Sequence, residues 1–114
     1  MARTKTPLLT SPPYLVEAAL RRLGSNLRSA RLARNLPVEQ VAEKIGTGRR
    51  AVADAEKGRP GTAVAVYLAL LWTYDLMGPV SQLANPANDA VALAFLSRRE
   101  RARARTSRDL DNDF

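Results

Sequence analysis

Between Pro37 and Gly58 the apolar positions follow a helical period twice, on either side of a short polar break. Val38, Val41, Ala42 and Ile45 stand at i, i+3, i+4 and i+7, the stripe of a helix that starts near Val38. Gly46 comes next, where a left-handed residue closes a helix. The pattern restarts at Arg49, with Gly48 as a tolerable N-cap, and stops at Gly58. Upstream, Leu20, Leu23, Leu27 and Ala30 keep helical spacing after Ser11-Pro12-Pro13, a cap followed by first-turn prolines. One helix over about residues 14–34 is predicted, bent or split at Gly24. Downstream, Thr62 caps a helix over about 63–74, from which Leu68, Leu71 and Trp72 pack beneath the earlier helices. Tyr67 and Trp72 lie inside an Ala/Val/Leu run and are assigned to the core rather than to a base-stacking platform. Gly78-Pro79 and Asn85-Pro86 break the chain around a short helix near 80–84. Asn88-Asp89 then caps a last helix from Ala90, with Val91, Ala94, Phe95 and Arg98 on a face suited to packing on the domain or on a second copy.

The pattern predicts an all-α protein of five or six helices. Residues 1–12 read as a flexible arm, 13–84 as the helical domain, 85–105 as a C-terminal helix with a basic extension, and 106–114 as an acidic disordered tail. With 114 residues there is room for one such domain and its tails.

Charge sharpens the picture. The chain carries 18 basic and 11 acidic residues, a formal +7. Residues 1–35 hold seven basic and one acidic, 36–84 five of each, 85–108 six and two, and 109–114 three acids. Basic ends around a neutral middle imply an anionic partner. Nucleic acid fits better than a membrane, because no amphipathic helix with aromatic anchors is apparent. Arg3 and Lys5 could trail along DNA, although two charges signal little. The sequence has no cysteine and no histidine, which removes disulfides, thiolate chemistry and imidazole ligands. The acids are scattered, with no nucleophile motif or phosphate loop beside them, so the chain reads as a binding protein without a cofactor, not an enzyme. The run at 63–72 is far short of the roughly 20 residues that span a bilayer, and no signal-peptide core precedes it, so a cytoplasmic, nucleoid-associated location is expected.

Arg49 and Arg50 break a local rule. They fill the first turn of their helix, where the macrodipole is already positive. An anion at that end would relieve the conflict. Helix N-termini bind phosphate, and arginine bonds guanine O6 and N7 in two-point fashion.

Val41-Ala42, Gly46, Thr47-Gly48, the helix from Arg49 to Ala55, and Glu56-Lys57-Gly58, preceded by Leu23-Gly24, Leu27-Arg28, Ala30-Arg31 and Leu36, resemble the Xre and lambda-repressor type of helix-turn-helix regulators over about residues 23–76. The resemblance implies a lambda-repressor-like domain whose second motif helix lies in the major groove. Arg49 and Arg50 would then read bases. Asp54 would either accept from a cytosine amino group or hold the Arg50 guanidinium. Arg28, Arg34, Gly48, Lys57 and Arg59 would meet phosphates. The family pattern also pairs Arg31 with Glu56, and it implies a homodimer on an inverted-repeat operator with half-sites about 34 Å apart. Two departures stand out: Pro37-Val38 replace a hydroxyl cap and a glutamine that meets the DNA backbone, and Gly48 replaces a hydroxyl cap.

Gly58 through Tyr67-Leu68, Leu71-Trp72 and Leu76, then Leu83-Ala84-Asn85-Pro86 and Asp89, with a basic tail closing on Asp-Leu-Asp, look more like HipB-type antitoxins. That resemblance implies a partner, a HipA-type serine/threonine kinase toxin, held through tail residues Asp109, Leu110, Asp111 and Phe114. The tail reads equally as a solvated segment. Three classes therefore stay open: an antitoxin that represses its own operon, a stand-alone phage-type or housekeeping repressor, and a non-specific nucleic-acid-binding module.

Overall fold

A computed structural model describes residues 6–112 of the chain. All regular structure in them is helical: α1 Pro7–Thr10, α2 Tyr14–Ala33, α3 Val38–Ile45, α4 Arg49–Glu56, α5 Val64–Thr73, two 3-10 turns at Gly78–Gln82 and Pro86–Asn88, and α6 Ala90–Asn112. The chain divides into two compact units, Met1–Met77 and Gly78–Phe114.

In the first unit, α2 to α5 enclose a core of Leu27, Val41, Ala42, Val52, Ala55, Tyr67, Leu70 and Tyr74. Leu20, Leu23 and Ala30 of α2 pack at its edge, in the register their spacing predicts. All four helices end the same way. A left-handed residue follows each (Asn35, Gly46, Gly58 and Asp75), and the next N–H reaches back to the last turn: Leu36 to Arg31, Thr47 to Ala42, Arg59 to Asp54, Leu76 to Leu71. These bonds satisfy carbonyls that a helix end leaves open.

Gly24 neither bends nor splits α2, which runs unbroken. Its role is close approach. A Cβ there would meet the Ala55 carbonyl oxygen at 2.5 Å and the Glu56 carbonyl oxygen at 2.7 Å, and one on Gly58 would meet the Leu20 carbonyl oxygen at 2.5 Å. The two glycines let the backbones of α2 and the end of α4 touch.

Several expectations are corrected. Pro7–Thr10 is helical within the stretch read as an arm; proline is favoured in a first turn. Pro13, not Ser11, stands at the N-cap of α2, and Ala63, not Thr62, at that of α5, neither with a side-chain cap bond. Trp72 is 59% exposed, with the Lys44 ammonium 5.6 Å above its ring. α5 is apolar on every side, so its period could not say which residues face inward; Tyr67, Leu70 and Tyr74 do.

In the second unit the Asp89 carboxylate accepts from the Val91 N–H at 3.0 Å and starts α6. The helix continues to Asn112, through residues expected to be a disordered tail. Arginine and alanine are strong helix formers, and no glycine or proline interrupts them. Arg3, Lys5 and Phe114 lie outside the described residues. Asp109, Leu110 and Asp111 are described only as helical backbone.

Candidate nucleic-acid interface

α4 is fixed from behind. Val52 and Ala55 are fully buried, and Gly24 and Gly58 hold its end against α2. Arg31 then clamps it: its Nε donates to Glu56 Oε2 at 2.7 Å, its Nη2 to Oε1 at 3.0 Å, and its Nη1 to the Leu36 carbonyl at 2.9 Å. Both side chains are almost completely buried. The hydrogen bond to Glu56 raises the guanidinium's pKa above its ordinary value, against the opposing effect of burial. Arg31 thus joins α2, the loop at Leu36 and α4.

With its inner face committed, α4 turns Arg50, Ala53, Asp54 and Lys57 outward. Arg50 and Lys57 are exposed, Ala53 and Asp54 half-buried. Gly46, with φ +78°, sets the turn that delivers this helix, and Gly48 stands at its N-cap in an extended conformation with no side chain to bond the first N–H groups. A side chain at Gly48 would meet nothing within 4 Å. The helix start is open to a ligand.

The charged residues are distributed in ways that spacing alone did not reveal. Arg49 Nη2 lies 3.1 Å from Glu39 Oε1 on α3, so the two helices of the motif are linked across their exposed rim. Asp54 holds Arg59, not Arg50, with Oδ1 3.2 Å from Arg59 Nε. The Arg59 carbonyl accepts from the Tyr67 hydroxyl at 2.9 Å, which secures this loop at both its backbone and its guanidinium. Arg50 forms no ion pair among the described residues. It lines an open cleft with Thr47, Asp54, Arg59 and Thr62, and Leu9 of α1 borders the same cleft.

Arg28 is exposed on α2. Arg34, the other expected phosphate contact, has intramolecular partners in the structure: Nη1 donates to the Ala30 carbonyl and Nη2 to the Tyr74 carbonyl, both at 2.9 Å, with the guanidinium 5.4 Å from the centre of the Tyr74 ring. It ties the ends of α2 and α5. Sequence reasoning passed over Glu39, Thr47 and Ala53. Ala53 could have been found, since it lies between Arg50 and Lys57 on the same helical face. Glu39 could not, because its partner is ten residues away across a turn.

The sequence model of a family described as "Helix-turn-helix domain" matches residues 22–83, more than half of the chain. No curated protein and no solved structure matches the chain with significance. Among the described residues no helix is long and apolar enough to cross a membrane.

Proposed function

Since the chain belongs to the helix-turn-helix domain family, a family of DNA-binding domains rather than of enzymes, we propose that it is a sequence-specific transcriptional repressor of double-stranded DNA. One observation carries this reading: α4 is locked on its inner face and presents Arg50, Ala53, Asp54 and Lys57 on its outer one, behind an uncapped, doubly basic N-terminus. In the major groove Arg50 reads a guanine edge. Arg49 reads the neighbouring base after exchanging Glu39 for it. Asp54 accepts from a cytosine amino group or holds Arg59 at a phosphate, and Ala53 is small enough to meet a thymine methyl. Arg28, the N–H groups after Gly48, Lys57 and Arg59 supply phosphate contacts. One such helix covers few base pairs, so the protein acts as a homodimer on an inverted repeat.

The test is binding to a panel of mutated sites selected from random duplex. Arg50→Ala should lose about 1 to 3 kcal/mol at one base position with folding unchanged, whereas Lys57→Ala should weaken all sequences alike and flatten the salt dependence. Wild-type base preference in Arg50→Ala would overturn the assignment.

The finer proposal is that the repressor is the antitoxin of a HipA-type kinase and autoregulates its operon. It is supported by the resemblance over residues 58–89 and by the acidic end Asp109, Leu110, Asp111 and Phe114, which offers charged and apolar partners to a basic toxin surface. Co-expression with the neighbouring gene tests it. Co-purification and rescue of growth are expected; with neither, the stand-alone repressor is the function.

A further inference from the structure

The recognition helix does not use the largest concentration of charge in the chain, which lies on α6. Within that helix Arg98, Arg101, Arg105 and Arg108 follow one another at i, i+3, i+7 and i+10. At 100° per residue they share an arc of about 80°, over roughly 15 Å of helix. All four are exposed, and none forms an ion pair among the described residues. Of the acids of α6, Glu100 lies about 120° around the helix from the middle of the arc, and Asp109, at i+4 from Arg105, follows at the C-terminal end of the row. Like charges at these spacings weaken a helix, so the row does not serve α6 itself.

We infer that Arg98, Arg101, Arg105 and Arg108 form a stripe that lies along the phosphate backbone of duplex DNA, a second contact surface carried by the second unit. The choice of duplex as occupant rests on the DNA-binding reading; the stripe does not. Every cation of α6 is arginine, whose planar fork takes phosphate oxygens two at a time and is more weakly hydrated than an ammonium. A duplex offers one negative charge per about 1.7 Å, so the length of the stripe faces more than enough charge to neutralise it. The same stripe of a second copy does not fit this face, because arginine would oppose arginine across the contact. With no base-reading geometry around it, the stripe adds affinity and leaves sequence preference to α4.

The full chain carrying R98Q, R101Q, R105Q and R108Q tests this against a control carrying R99Q and R103Q, which lie off the arc. Glutamine keeps the helix propensity of arginine, and circular dichroism checks that helix content is unchanged. Affinity for random-sequence duplex is measured over a salt series. The fourfold variant should lose at least about tenfold at 0.1 M salt and show a slope of log K against log salt shallower by about 3 to 4 per chain, and the control should change it by less than about 1. The ratio of operator to random binding should stay at the wild-type value, which separates this result from a failure of the repressor reading, where wild type itself would show no such ratio. An unchanged slope overturns the proposal, as does an equal effect per charge in both variants. Loss of polyglutamate binding with DNA binding intact also overturns it, and assigns the surface to an acidic protein.

Discussion

Arg31 and Glu56 bury opposite charges in a two-point contact, and the third guanidinium bond goes to a backbone carbonyl. Removing either side chain leaves the other charge in a site that water hardly reaches. Arg31→Ala and Glu56→Ala should each cost about 3 kcal/mol or somewhat more, a large part of what a unit of this size possesses. The double variant should cost less than the two added, by at least about 1 kcal/mol in denaturant unfolding; additivity would mean that the contact carries no coupling. Nearby, the buried Tyr74 hydroxyl has no hydrogen-bond partner among the described residues. Tyr74→Phe removes an unsatisfied polar group without opening a cavity, so its melting temperature should equal or exceed that of wild type. Burial also raises the pKa values of the Tyr67 and Tyr74 phenols. The unfolded chain ionises first, from about pH 10 upward, so the folded state holds more protons there and stability falls as pH rises. That alkaline loss should be smaller in Tyr74→Phe than in wild type.

α2 and α4 approach so closely because glycine occupies both sides of their contact. A methyl on Gly24 meets backbone atoms of Ala55, Glu56 and Gly58 within 2.7 Å, and a helix end cannot step aside as a side chain can. Gly24→Ala should therefore destabilise by about 3 kcal/mol and displace α4. Gly61→Ala, with open space at its Cβ, is the control and should change stability by less than about 0.5 kcal/mol. Equal thermal unfolding of the two variants would contradict the close-approach reading. The Gly24 position was visible in the sequence, but its meaning was not: a glycine inside a helical pattern reads as a weak point until the opposing backbone is known. α5 shows the converse limit, since ten residues with apolar character on all sides carry no phase.

Over the whole molecule, charge sets how DNA is approached. If the proposed dimer sets Arg28, Lys57 and Arg59 of each copy against phosphates, about six contacts result, and log K at the operator should fall against log salt with a slope near −5 from the first unit alone, and more steeply if α6 contributes. A slope near zero, measured by titration at several salt concentrations, would remove phosphate contacts from the account. The all-helical class, the register of α2 and α3, and the turn at Gly46 were legible in the sequence, because each follows from local periodicity and from a residue that can adopt a left-handed conformation. So was the conflict of Arg49 and Arg50 with the helix dipole, which needs only their position. Apart from Arg31 and Glu56, which the resemblance paired and the structure joins, the partners of the charges were not legible. Asp54 goes to Arg59, Arg49 to Glu39 and Arg34 to the Tyr74 carbonyl, and the last two pairings join elements that spacing along the chain leaves unconnected. The resemblance already turned Val52 and Ala55 of α4 inward and Arg50 and Asp54 outward; what tertiary structure decided is how firmly that face is held, through the complete burial of Val52 and Ala55 and the Arg31–Glu56 pair, since only packing against other elements fixes a short helix.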